Sequence, residues 1–276
     1  MSDLQRTPER LRHHFEVERE LASRLRTSKM DERSELLGVL YDELFERVPD
    51  HPRLARRVTE EESRRTVDGQ LKILAPFLKP ESTLVEFACG DARLAAAACS
   101  VARRVIGLDI SDQRNATDRI PENFDHFVYD GYRLDLPDQI ADVVFSYQFL
   151  EHLHPEDVNP HFELVHRLLK PGGWYLFDTP HRFTGPHDIS AFFGDELVCF
   201  HFQEWTFGAL ADLSKKCGFG KTSIYRRGRL LEDRFSVASN RLAESIIGVM
   251  PRPLRKNLSQ RLFQSVTLAV QRPRDQ

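Results

Sequence analysis

A chain of 276 residues is long enough to bury a full hydrophobic core. Its 41% hydrophobic and 29% charged residues match a soluble globular protein, and no run nears the ~18 apolar residues of a membrane span. The net charge of −3 hides a segregation: residues 71–225 carry 14 Lys/Arg against 22 Asp/Glu, whereas 226–276 carry 11 against 4. An acidic centre suits a cationic ligand better than a polyanion. No apolar leader-like stretch opens the sequence, and Cys89, Cys99, Cys199 and Cys217 show no CxxC spacing. Reduced thiols and a cytoplasmic location are therefore expected.

In chain order, residues 9–48 read as helical, because Leu21, Leu25, Leu36, Leu37, Leu40 and Leu44 recur at helical spacing among charges. Pro49-Asp50-His51-Pro52 stops that pattern. A second amphipathic helix is expected over 59–75, with Thr59 as N-cap and Glu62 as its capping-box partner, ended by Pro76 and Pro80. From residue 83 short apolar runs alternate with helical stretches. Strands are expected at 83–87, 104–108, 125–129, 142–147 and 174–177. Helices fall between them, the clearest at 160–169, closed by Lys170-Pro-Gly-Gly173. A further helix over 206–217 precedes a strand at 222–226, and 265–270 reads as a closing strand. A basic, partly amphipathic insertion at 229–262 separates those last two strands. The alternation implies an α/β fold, a parallel sheet with helices on both faces.

The sharpest local signal is Val85-Glu-Phe-Ala-Cys-Gly-Asp-Ala-Arg-Leu94, followed by Val105-Ile-Gly-Leu-Asp109. An apolar run ends in an acid, a small-residue loop follows, and a second run ends in an acid about twenty residues on. That is the layout of a nucleoside-binding βαβ unit, with backbone close to the ligand and the second acid on ribose hydroxyls. A dinucleotide site needs small residues at all three positions of GxGxxG; aligning Ala88 and Gly90 puts Arg93 at the third. Without a pyrophosphate cradle, a phosphate-free nucleoside fits better.

These residues resemble the class I S-adenosylmethionine-dependent methyltransferases. The first motif of that family stands here as Glu86-Phe-Ala-Cys-Gly-Asp-Ala92, with Ala88 and Ala92 in place of two glycines. Alanine there requires both positions to avoid positive φ. Gly107-Leu-Asp109-Ile-Ser111, Tyr129-Asp130-Gly131, Asp142-Val-Val-Phe-Ser-Tyr147 and Leu168-Leu-Lys-Pro-Gly-Gly173 follow in family order. The resemblance covers about 80–225. It implies a Rossmann-like seven-stranded sheet, an N-terminal helical lid over 1–79 and an S-adenosylmethionine-binding domain over 80–276. It also implies cofactor contacts from Glu86, Ala88, Gly90, Asp109, Ile110, Asp130, Gly131 and Tyr147. Each acid has a plainer reading: Glu86 as a strand-end cap, Asp109 as a helix N-cap, Asp130 as a turn acid.

Acceptor residues in such a fold come from the carboxyl ends of the strands. Two segments qualify. Gln148-Phe-Leu-Glu-His-Leu-His-Pro-Glu-Asp157 contains His152, a candidate general base. Some quinone-pathway O-methyltransferases carry Glu-x-x-Glu-His here and use a divalent metal. Gln148 replaces the first glutamate, so no metal is expected, although Glu151, His152 and His154 are ligand types. The second segment runs from Thr179 to Trp205. Within it His187-Asp188 forms an adjacent pair, His201 can converge on it, and Phe192, Phe193, Phe202 and Trp205 can wall an apolar slot. His187 is the favoured base, ahead of His152 and His201.

The expected activity is O-methylation of a small molecule, a sugar, glycan precursor or secondary metabolite, by direct in-line transfer. N- or C-methylation, and a non-catalytic cofactor-binding partner protein, are the alternatives. No nucleic-acid partner and no stable membrane insertion are expected, and a homodimer is compatible with the sequence.

Overall fold

The computed structural model describes residues 6–52, 60–114, 119–226, 228–232, 234–263 and 265–274. Helices α1 (Pro8–Thr27) and α2 (Met30–Arg47) form an antiparallel pair, and α3 is Glu60–Leu74. The central region follows as β1 (Thr83–Phe87), α4 (Arg93–Ala98), β2 (Arg104–Asp109), β3 (Phe124–Val128), β4 (Ala141–Tyr147), α5 (Val158–Leu168) and β5 (Leu169–Pro180). The remainder is α6 (Phe207–Lys216), β6 (Thr222–Arg226), β7 (Arg229–Leu231), α7 (Arg234–Gly248), α8 (Arg252–Leu262) and β8 (Ser265–Gln271).

The strands form one sheet in the order β3-β2-β1-β4-β5-β8-β6-β7. The first five are parallel, and β8 runs antiparallel to both β5 and β6. Strand order reverses between β1 and β4, so the crevice at their carboxyl ends is the ligand site this topology dictates. All five residues of β1 are buried, as a central parallel strand requires, and the sole acid among them is Glu86. One face packs under Phe162 and Val165 of α5 and Leu210 of α6. The other packs under Leu74 of α3 and Leu94, Ala95 and Ala98 of α4. The expected α/β layering is therefore present.

Several expectations need correction. The sheet has eight strands among the described residues rather than seven, because three residues of the basic insertion add β7 beside β6 at the edge. The rest of that insertion folds as α7 and α8. The single helix over 9–48 is two: Ser28 and Lys29 are extended (ψ 154° and 160°), and the chain reverses there. Among the described residues no α-helix lies between β2 and β3 or between β3 and β4. Lys170-Pro-Gly-Gly173 does not close a helix into a loop but lies within β5, which pairs from Leu169 onward with an irregularity against β4. The N-cap assigned to Thr59 lies outside the described residues.

Helices α1 and α2 bury Val17, Leu21, Leu25, Leu40 and Leu44 against Phe200 and Phe202, which belong to the segment after β5. Arg33 of α2, fully buried, ties the pair to the segment after β4 by reaching Asp157 Oδ1 and Glu156 Oε2, both at 2.9 Å. The N-terminal helices thus cover the carboxyl-end side of the sheet.

Candidate active site

The loop after β1 alternates left-handed residues: Ala88 has φ 54°, Gly90 φ 53° and Ala92 φ 59°. This overturns the expectation that the alanines avoid positive φ. Each alanine costs about 1 kcal/mol in that region, so the surroundings over-determine the bend. Asp109 at the end of β2 supplies the determinant. Its carboxylate accepts from Gly90 N at 2.8 Å, Ile110 N at 2.8 Å and Ser111 N at 3.3 Å. Gly107 completes the fit, since a Cβ there would sit 2.9 Å from Cys89 Sγ and Phe124 Cε2.

Glu86 is buried, and its Oε2 has no hydrogen-bond partner. Burial, then the charges of Asp91 and Asp109, push its carboxyl up to about 8. A buried carboxyl with one unpartnered oxygen among further acids suits a cationic ligand, and nothing lies within 4 Å of a Cβ built on Gly90. Both features fit the ammonium and sulfonium of S-adenosylmethionine beside close backbone. Asp130 accepts from Tyr132 N (2.8 Å) and Arg133 N (2.6 Å), closing a turn with Gly131 at φ 85°. Its turn role is therefore real, and a Cβ on Gly131 would lie 3.2 Å from Leu37 of α2. Tyr147 ends β4 half-buried, its hydroxyl pushed up by burial and then by Asp178 and Glu151.

Across the β4 and β5 ends lies a cavity of about 290 Å³ lined by His14, Glu18, His51, His152, His187, Asp188, Phe192 and His201, among others. The three histidines expected from sequence are therefore brought together. Buried Glu204, which sequence reasoning missed, organises two of them. Its Oε1 accepts from His187 N at 2.7 Å and lies 3.1 Å from both His187 Nδ1 and His201 Nδ1. Burial would raise the Glu204 carboxyl, but the His187 and His201 hydrogen bonds override this and hold it at about 2.

The three rings are not equivalent. Thr184 Oγ1 gives its proton to His181 O at 2.8 Å, so it accepts from His187 Nε2 at 3.0 Å. Both nitrogens of His187 thus already have protein partners, Glu204 Oε1 and Thr184 Oγ1. His152 donates Nδ1–H to Phe200 O at 3.1 Å and meets the His201 ring edge-on at 4.8 Å between centroids. His201 points Nδ1 at Glu204, and its Nε2 has no hydrogen-bond partner among the described residues. Burial lowers the His201 imidazole, but Glu204, Glu151 and Asp188 together raise it. Asp188 also accepts from His201 N at 3.2 Å.

Glu151 is fully buried; its Oε2 accepts from Thr179 Oγ1 at 2.9 Å, while Oε1 has no partner. Burial pushes this carboxyl up to about 7. Glu151, His152 and His201 present ligand-type atoms within 4.8 Å of one another. Gln148 takes no part: its Nε2 donates to Asp178 Oδ1 at 2.7 Å, tying β4 to β5. His154 faces away, toward the Arg26 carbonyl at 3.3 Å. Of the four aromatics expected to wall a slot, only Phe192 lines the cavity; Phe193 stacks on Phe15, and Phe202 and Trp205 are in the core.

The N-terminal helices add residues that sequence reasoning left without a role. Arg6 can only donate, so its 2.7 Å contact makes His14 Nδ1 an acceptor. His14 Nε2–H then donates to Glu18 Oε2 at 2.6 Å. Their four-residue spacing on α1 was a usable signal. A larger cavity, about 520 Å³ between α3 and α4, reaches only Asp91 and Ala92 of the first loop and none of these histidines.

Residues 85–177 match the family described as a methyltransferase domain. A probable S-adenosylmethionine-dependent methyltransferase of Mycolicibacterium smegmatis is 33% identical over 141 residues, covering 49% of this chain and 51% of its own. The chain thus spans about half the length of that curated relative. An S-adenosylmethionine-dependent methyltransferase from Mesorhizobium loti superposes with a TM-score of 0.50 at 19% identity, over 75% of this chain and 100% of that one. One from Archaeoglobus fulgidus gives 0.52 at 18%, over 76% and 94%. A phosphoethanolamine N-methyltransferase from Haemonchus contortus, solved with S-adenosylhomocysteine, gives 0.52 at 18%, over 75% and 53%. The 85–177 match, the strand order and the β1 loop agree on one conclusion: residues 85–177 form a methyltransferase domain, within a fold shared with S-adenosylmethionine-dependent methyltransferases.

Proposed function

We propose that the chain transfers the methyl group of S-adenosylmethionine to a hydroxyl oxygen of a small polar molecule held in the histidine-lined cavity. The observation that carries this reading is the buried His201–Glu204 pair at the cavity, where Nδ1 faces Glu204 and Nε2 has no hydrogen-bond partner among the described residues. S-adenosylmethionine, when bound, supplies a methyl already activated on a sulfonium. Glu86 answers the ligand's positive charge, Asp109 takes the ribose hydroxyls in part exchange for its amide contacts, and Gly90 admits the methionine portion. Ala88, Ile110, Asp130, Gly131 and Tyr147 complete the wall of that site.

On the acceptor side the residues align a hydroxyl, exclude water and remove its proton. His201 takes that proton on Nε2. Glu204 fixes the tautomer by holding Nδ1–H and stabilises the imidazolium that forms. His187 holds Glu204 in place, and His152 packs against the His201 ring. Helices α1 and α2 act as the lid, with Glu18 accepting from Phe200 N at 3.1 Å to hold the segment that carries His201. The acidic central region disfavours nucleic acid as acceptor. The free cysteines support a reducing, cytoplasmic setting.

The test is a mass-spectrometric screen for methyl addition on hydroxyl-bearing sugars, glycan precursors and phenolic metabolites beside matched amines. A hydroxyl acceptor is expected, with turnover lost in His201→Ala and S-adenosylhomocysteine binding retained. Methylation of amines alone, unchanged in His201→Ala, would instead establish an N-methyltransferase.

A further inference from the structure

We infer that the α7–α8 hairpin is a docking surface for an anionic lipid bilayer, on which the protein rests without inserting. A surface helix of a globular protein normally turns its apolar stripe inward. Helix α7 carries apolar residues on both sides: Val237, Ala243 and Ile247 pack inward, and a second stripe faces out. Its buried face carries Asn240, Glu244 and Ile247, with Glu244 accepting from His181 Nε2 (3.0 Å), Phe207 N (2.6 Å) and Gly208 N (2.8 Å). Its outward face carries Phe235, Leu242 and Ile246, 81%, 63% and 52% exposed. At 100° per residue those three fall within an arc of about 40°. Val249, 87% exposed, continues the line just past the helix, and Leu254 on α8 is 51% exposed. Val237, Ala243 and Ile247 on the core and Glu244 on its three donors already fix α7 to the domain, so the outward stripe serves no packing role among the described residues.

Charge identifies the occupant. Between 234 and 262 the sequence has six Lys/Arg and one acid, Glu244, which is buried. Arg241 and Arg252 already pair with Asp212 and Asp195, but Lys256 and Arg261 have no acidic partner among the described residues, and a second copy packed two-fold on this hairpin would set them against each other. An anionic bilayer supplies the missing counter-charge and takes the protruding side chains without needing a complementary groove. Apolar side chains rimmed by cations are the pattern of a helix lying in the membrane interface. No helix among the described residues is long and apolar enough to cross a membrane, so the contact is peripheral. The hairpin also adjoins the loop beside the cavity: Arg255 lies over the Phe183 ring at 5.4 Å, and Arg252 pairs with Asp195.

Sedimentation of the full chain with phosphatidylcholine vesicles, with and without phosphatidylglycerol, tests this. Pelleting is expected only with the anionic vesicles, and high salt should reverse it. The Phe235→Ser/Val249→Ser variant should bind at least about tenfold more weakly, as should Lys256→Glu/Arg261→Glu. Both should keep the wild-type melting temperature and S-adenosylhomocysteine affinity, because none of the four residues touches the cofactor or cavity side chains. Absence of pelleting with anionic vesicles overturns the inference. So does a dimer in analytical ultracentrifugation that Phe235→Ser/Val249→Ser dissolves, which would assign the stripe to a second copy.

Discussion

Glu86→Gln should stabilise the free protein and weaken cofactor binding at the same time. The Glu86 carboxyl is pushed from an ordinary value of 4.5 up to about 8 by burial and by Asp91 and Asp109. A carboxyl with a raised folded value contributes full stability below the unfolded value. That stability falls as pH climbs from 4.5 to 8, and is constant above. At pH 7 the rise spans 2.5 pH units, and at 1.36 kcal/mol per unit the penalty is about 3 kcal/mol. Glutamine keeps the shape and carries no proton to lose, so the variant should escape that penalty. For a chain of this size it should melt roughly 6 °C above wild type at pH 7 and show little difference at pH 4.5. Calorimetric scans of the ligand-free protein across that range measure it. Binding should move the other way. A cationic ligand favours ionised Glu86, so wild type should release most of a proton on binding S-adenosylmethionine at pH 7, visible as a heat that depends on the buffer. The glutamine variant should release none and bind at least about tenfold more weakly, a 1.4 kcal/mol loss. A variant that melts below wild type throughout and binds equally well would refute the assignment, leaving Glu86 an ordinary buried acid.

Asp109→Asn should lose about 1–3 kcal/mol of stability, since one of two acceptor oxygens for three amides is gone, and S-adenosylhomocysteine affinity should drop with it in a calorimetric titration. Ala88→Val should destabilise by about 2 kcal/mol or more, because a branched side chain at φ 54° is strained. Ala88→Gly should stay within about 1 kcal/mol of wild type in urea melts, relief of strain being offset by a freer unfolded chain. Once an acceptor is found, kcat/KM should rise with pH through a limb above the ordinary histidine value, since His201 must be neutral to accept a proton and its imidazole is raised. Glu204→Gln should move that limb to lower pH and reduce kcat.

Much of this was legible in the chain. Strand signals at 83–87 and 222–226 matched the structure to the residue, because each is a short stretch of β-branched and aromatic residues set off by turn formers. The Glu86, Gly90 and Asp109 constellation was legible because its parts lie within one βαβ unit, where spacing dictates proximity. The φ values of Ala88 and Ala92 were not legible: the Gly90–Asp109 hydrogen bond spans 19 residues and forces a bend that local propensity opposes. Glu204 escaped notice because only the return of the chain after β5 brings it to His187. The outward stripe of α7 was half legible, as basic and amphipathic, but which face turns inward is decided by Glu244 meeting His181. The edge strand β7 is too short to announce itself. Helix α1 shows the same limit, since Glu18 meets Phe200 across 182 residues.

A crystal structure of the chain with S-adenosylhomocysteine puts the central claim to the most direct test. Ribose hydroxyls are expected on the Asp109 carboxylate, the methionine ammonium beside Glu86 and the sulfur turned toward the cavity that holds His201. A nucleoside bound away from the β1 and β2 ends, or a sulfur facing away from that cavity, would contradict it.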